Sequence, residues 1–214
     1  MGAVLLLLLG CGGSQPHYET VGALRAAVFE ADLAQVRSQA VRLEDQRPQG
    51  RAGEPGAGEA LERLHGTLGF LMVSEDAEDV GVGLARLARA CGDCHAATRA
   101  RLPSPPSMPS VGSEGAHVRL QDRMWSVLVT HDGPAAQDLL QSMDPVLVPA
   151  GTGPEAALAH GRWMGAVEKA QGTCGLPEAT PPTVEDACLE GLREVYATLA
   201  ATCASCHRSS GVGS

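Results

Sequence analysis

Two stretches of the chain carry cysteine, cysteine and histidine at one fixed spacing: Cys91-Gly92-Asp93-Cys94-His95 and Cys203-Ala204-Ser205-Cys206-His207. On a helix, residues three and four apart share one face, so all three functional side chains of each motif point the same way. Two thioether sulfurs can then hold the edge of a porphyrin while the imidazole reaches its iron. That is the pattern of c-type haem attachment. The sequence therefore predicts two covalently attached haem c groups, one on Cys91 and Cys94 and one on Cys203 and Cys206. His95 and His207 are the expected iron ligands. Competing chemistries fit less well. A structural zinc site needs four N or S ligands converging from nearby pairs, whereas these pairs stand more than a hundred residues apart, each with its own histidine. A thioredoxin-like Cys-x-x-Cys belongs in a βαβ setting, and no strand pattern precedes either motif.

The residues before each motif say what must position it. Leu84, Leu87, Cys91 and Cys94 follow helical steps, as do Leu192, Tyr196, Leu199, Cys203 and Cys206, so each motif should end the inward stripe of a long helix. Aligned on the motifs, the chain repeats itself. His17-Tyr18 to Asp32 matches His117-Val118 to Asp132 at an offset of one hundred residues without gaps. Leu24 then pairs with Met124 and Val28 with Leu128. Further on, Glu59 to Gly66 echoes Glu155 to Gly161. Periodicity and turn signals predict helices over 17–30, 32–46, 58–73 and 76–100 in the first half. The second half should have helices over 116–131, 134–143, 154–171 and 184–208. The expected fold is all-α: two tandem four-helix-bundle modules, 16–101 and 116–209, joined by a proline-rich linker over 102–115. Aromatic residues make up only 3% of the chain, which also favours small-residue helices over a sheet.

Attachment of haem at the end of the last of four helices resembles cytochrome c′ and its low-spin relatives, and the soluble four-helix b-type cytochrome. It is unlike the commoner class of cytochrome c, whose motif lies near the start with a methionine ligand far downstream. Only Arg208 to Ser214 follow His207 here, so a sixth ligand is expected from upstream. The resemblance implies a ligand early in the first helix, where the low-spin relatives use methionine. This chain departs from them with His17 and His117. Bis-histidine iron has a lower potential than Met/His iron. His65 and His160, also matched in the repeat, are the alternative distal ligands. His131 has no counterpart in the first half and is read as a surface residue. Met72 and Met164 fall on apolar stripes and are read as core. Trp125 and Trp163 are expected to pack around the second haem.

Three of the seven cysteines remain. Cys174 and Cys188 flank one irregular stretch, and in an oxidising compartment a disulfide is the economical reading. Cys11 follows the apolar run Ala3–Leu9, which is too short to span a bilayer and reads as a signal peptide over 1–10. Leu8-Leu9-Gly10-Cys11 resembles the lipobox of bacterial lipoproteins, in which the cysteine takes the lipid. No Lys or Arg precedes the apolar run, so an ordinary cleaved signal with Cys11 incidental remains the other reading. The net charge of −9 argues against nucleic acid as a partner. Together these features predict a dihaem electron carrier, not an enzyme, anchored by lipid on the periplasmic side of a bacterial membrane, the outer membrane included. Its partners would be redox proteins of a respiratory chain. No catalytic constellation is visible beside either motif. The alternative is a cytochrome c′-like haem protein that binds or senses nitric oxide or carbon monoxide through an open iron site.

Overall fold

Asp32 and Asp132 do the same work one hundred residues apart. Each caps the helix that follows it, accepting the backbone N–H of Gln35 or of Ala135 at 2.9 Å. The helix before each is closed by a residue in the left-handed region, Ala31 at φ 60° and His131 at φ 56°. The backbone N–H of Asp32 reaches Ala27 O and that of Asp132 reaches Val127 O. The residue before each bonds to Val28 O or Leu128 O. Both corners are thus the same Schellman turn. The repeat seen in the sequence holds down to individual backbone hydrogen bonds.

The structure is a computed structural model and describes residues 15–46, 55–98, 115–143, 153–175 and 181–210. The leader with Cys11 and the linker up to residue 114 lie outside the described residues. Among those described, the elements are all helical, in the order α1 (Gln15–Phe29), α2 (Leu33–Asp45), α3 (Ala57–Val73), α4 (Ala77–Thr98), α5 (Ala116–Thr130), α6 (Gly133–Ser142), α7 (Pro154–Cys174) and α8 (Pro181–Ser210). The fold is all-α. Helix α8 begins three residues before the apolar periodicity, which starts at Val184. Proline suits the first turn of a helix, where its missing N–H has no partner to lose. None of the described helices is long and apolar enough to cross a membrane.

The stripes that precede the motifs are buried. Leu84, Leu87, Leu192, Tyr196 and Leu199 have no exposed surface, and neither do Leu24, Leu120, Met124 and Leu128 on α1 and α5. In the first half α1 packs on α2, α2 on α3, α3 on α4 and α4 back on α1; α5 to α8 make the same ring. The two rings are fused. Helix α4 also packs on α8 and α5, α1 packs on α8, and one contiguous apolar core runs through both halves. Two glycines make this fusion possible. A Cβ on Gly81 would stand 2.5 Å from the Ala197 carbonyl oxygen of α8, and one on Gly92 would stand 2.7 Å from the Leu128 carbonyl oxygen of α5. The obstacles are backbone atoms within helices and cannot swing aside.

A disulfide joins Cys174, the last residue of α7, to Cys188 in α8, with the Cα atoms 4.8 Å apart and fourteen residues of separation. Closing a loop of that size contributes about 3 kcal/mol in the chain-entropy model. Replacing both cysteines by serine should lower unfolding free energy by about 2–4 kcal/mol in denaturant titration. Gly81→Ala should cost about 1–3 kcal/mol by overpacking the α4–α8 seam, whereas the same change at Gly66, which has open space around it, should cost nothing measurable.

Candidate haem-binding cavities

Each motif faces a cavity, and in each cavity the motif meets one histidine from the other end of its own half. The first is lined by His17, Tyr18 and Val21 of α1, by Cys91 and His95 of α4, and by Trp125, Ser126, Val129 and Thr130 of α5. The second is lined by His117, Val118, Gln121 and Asp122 of α5, by Cys203 and His207 of α8, and by Gly22, Arg25, Ala26, Phe29 and Glu30 of α1. Shifted by one hundred residues, His17, Tyr18 and Val21 become His117, Val118 and Gln121. Trp125, Ser126, Val129 and Thr130 likewise correspond to Arg25, Ala26, Phe29 and Glu30. The two cavities are therefore the same site built twice, with their walls exchanged. Each half supplies its own motif and histidine, and the first helix of the other half closes the cavity.

Arg25 and Trp125 occupy equivalent positions in the repeat and touch each other, the guanidinium lying 5.0 Å from the indole centroid. A residue that meets its own counterpart lies on the two-fold axis relating the copies. Arg25 lines the second cavity and Trp125 the first, so this contact is the partition between them. Tyr196 braces it. Its ring stands 6.3 Å from Trp125 and 5.9 Å from Phe29. Its hydroxyl accepts from Arg25 Nε at 3.4 Å, and Arg25 Nη2 donates to Asp122 at 2.7 Å. Burial alone would lower the Arg25 pKa, but Tyr196 and Asp122 beside it raise it, so the charge is retained in the partition.

The titratable groups suit neutral ligands. Burial first, and the nearby His95 second, lower the pKa of His17, which favours the neutral imidazole that a metal needs. Burial pushes the thiols of Cys91 and Cys203 up to about 12, although Gln121 donates to the Cys203 sulfur at 3.5 Å and opposes the shift. Redox-active and thiolate-ligand cysteines are instead held below the usual range. Cys91, Cys203 and Cys206 form no disulfide, whereas Cys94 is held in one. The expectation of a haem thioether at Cys94 is thus at odds with the bonded state seen here, and attachment there requires that bond to be opened first. The cavities measure about 160 and 240 Å³, below the roughly 300 Å³ at which small-molecule sites begin. The residue types at each cavity, one motif cysteine and two imidazoles, fit the donor set that would hold a haem. Among the described residues, no group of three or more His, Cys, Asp or Glu side chains could hold a bare metal ion.

Comparison with protein-family models, curated proteins and solved structures finds no match to this chain.

Other residues fall in places that the sequence did not foresee. His65 lines neither cavity; its side chain is 63% exposed and pairs with Glu44 at 2.9 Å. His160 packs against the buried Trp163, 5.8 Å between ring centroids, and also lies outside both linings. Trp125 serves the cavity of His95, not that of His207, because the α4–α5 approach at Gly92 brings it there. His131, read as a surface residue, is partly buried, with Nδ1 3.5 Å from Asp93 inside the first motif. Asp93 is also 3.1 Å from Arg63. Met72 and Met164, by contrast, pack against the core as their apolar stripes predict.

Because the folded-state pKa of His17 lies below the 6.5 of an ordinary imidazole, the unfolded chain binds more protons below that pH. Stability contributed by the neutral ring is then lost as pH falls from about 6.5 through the folded value. In the metal-free chain, unfolding titrations should show this loss, and His17→Gln should flatten it. An unchanged pH profile would place His17 in contact with solvent.

Proposed function

We propose that the chain is a dihaem cytochrome c of two tandem four-helix modules, resembling the low-spin relatives of cytochrome c′, that carries electrons between redox proteins. The observation that carries this reading is the duplicated cavity: the first cysteine and the histidine of each motif share one lining with a histidine at the same repeat position. A metal-binding coincidence on a helix would not recur with every wall residue of the first cavity in register with one of the second.

Haem, when bound, supplies a one-electron iron couple whose potential depends on its axial ligands and on burial. The chain's own residues do the rest. Cys91, Cys94, Cys203 and Cys206 would tether the two porphyrin edges. His95 with His17, and His207 with His117, would hold the iron of each haem, and two such protein ligands would suit electron transfer rather than binding of a substrate. Val21, Val129 and Trp125 exclude water on one side of the partition; Phe29 and Ala26 do so on the other. Arg25 and Trp125, in contact with each other, line one cavity each, so an electron passing between the sites within the chain would cross that pair. The leader and Cys11 support export and a lipid anchor on the periplasmic side of a bacterial membrane.

Protein exported in a haem-competent host should gain the mass of two haems and keep it through acid–acetone extraction. Its spectra should be low-spin, with little affinity for carbon monoxide. A colourless chain of unmodified mass would end this reading, and a high-spin protein that binds gas at both irons would favour the sensor. His117→Ala should convert only the second haem to a gas-binding form with a raised potential, and His17→Ala only the first. The exchanged walls add a sharper expectation. Trp125→Leu should shift the potential of the haem on His95, and Phe29→Leu that of the haem on His207, each across the boundary between halves.

A further inference from the structure

A groove of about 790 Å³ runs along the seam where α4, α7 and α8 meet, away from both haem cavities. Its floor is apolar and shallow-sided, made largely of Val82, Ala85, Ala166, Ala197 and Ala201. Its rims carry Arg86, Arg89, Arg162, Lys169 and Arg193 against Glu78, Glu190 and Glu194. The groove thus has five cations and three anions, a net charge of +2, on a chain whose total is −9. The remainder carries −11. This is a basic strip on an otherwise acidic protein.

The strip is not neutralised internally. Arg89 and Arg193 share Glu190, at 3.6 and 2.7 Å, and Lys169 pairs with Glu194 at 2.8 Å. Among the described residues neither Arg86 nor Arg162 has a carboxylate partner, Arg86 lying instead over the Phe70 ring at 4.9 Å. Arg193 is only 11% exposed, and its Nε is a buried donor with no acceptor. Such a group is left unsatisfied at a cost unless something supplies an oxygen.

We propose that this groove docks the acidic face of a partner protein. An acidic surface is attracted here and repelled by the net charge of −11 on the remainder, so the field orients the encounter as well as speeding it. The alanine floor lets a partner's backbone come close, and carboxylates along its flanks would meet Arg86 and Arg162. The position also serves transfer. Arg89 and Ala201, at the two ends of the lining, stand two residues before Cys91 and Cys203 on antiparallel helices, so a docked partner lies between the two motifs. That the partner is a redox protein rests on the electron-carrier reading; that it is acidic does not.

The test needs no haem. A synthetic glutamate-rich helical peptide is titrated against the full chain at low ionic strength, with a lysine-rich peptide of equal length as control. The glutamate peptide alone should bind, its affinity should fall steeply by 0.15 M salt, and carbodiimide should cross-link it to Lys169. Arg86→Glu with Arg162→Glu, both at exposed positions, should weaken binding about tenfold or more while leaving the helical circular dichroism unchanged. Equal binding of both peptides, an unaffected double variant, or displacement of the peptide by an equal concentration of inorganic phosphate would overturn the proposal. The haem reading stands or falls separately, on the mass and spectra of the exported protein.

Discussion

The approach of α4 to α5 at Gly92 is the constraint on which the rest of the arrangement depends. With no side chain there, the helix carrying the first motif can lie against the Leu128 carbonyl of the second half. That contact brings Trp125, Ser126, Val129 and Thr130 over Cys91 and His95. Had Gly92 been any larger residue, α4 would stand off from α5, and the first cavity would lose one wall and open to water. The glycine lies between the two cysteines of the motif, where the spacing rule is indifferent to residue type. Its packing role is set by tertiary contact alone.

Exchange of walls changes how the duplication should be understood. Two tandem modules joined by a linker would ordinarily each bury their own site. Here neither half encloses a cavity by itself, because α1 closes the site of α8 and α5 closes the site of α4. The geometry is that of a symmetric dimer whose subunits have been joined into one chain, with the axis passing near Arg25 and Trp125. The two copies differ where they meet, at Arg25 and Trp125. One contributes a cation and the other an aromatic ring, a pair that identical subunits could not form. The polar contacts at that point run from the buried Tyr196 hydroxyl through the partly buried Arg25 to Asp122 at the surface.

The same fusion places the basic groove. Helices α4 and α8 pack antiparallel along Gly81, Ala197 and Ala201, and small residues that permit close packing inside leave a shallow channel outside. Charged side chains too long to enter the seam project along its edges. The core packing and the surface charge pattern of this face therefore have one cause.

Much of this molecule was legible from residue order because its information is local or repeated. Helical stripes before Cys91 and Cys203 and the offset of one hundred residues follow from short-range periodicity and from comparing the chain with itself. The expectation that His17 faces His95, and His117 faces His207, comes from the family resemblance together with the matching repeat positions, and each pair shares one cavity. What the sequence could not say was which first helix would close which cavity. Trp125, expected near the second motif, lines the cavity of the first for that reason: a wall contributed across the fused interface leaves no periodic trace. Nor could it foresee that His131 would turn inward to Asp93, since that contact joins residues from different halves. Local periodicity determines which face of each helix is apolar; only the packing of one half against the other, through backbone contacts that glycine alone permits, decides what that face meets.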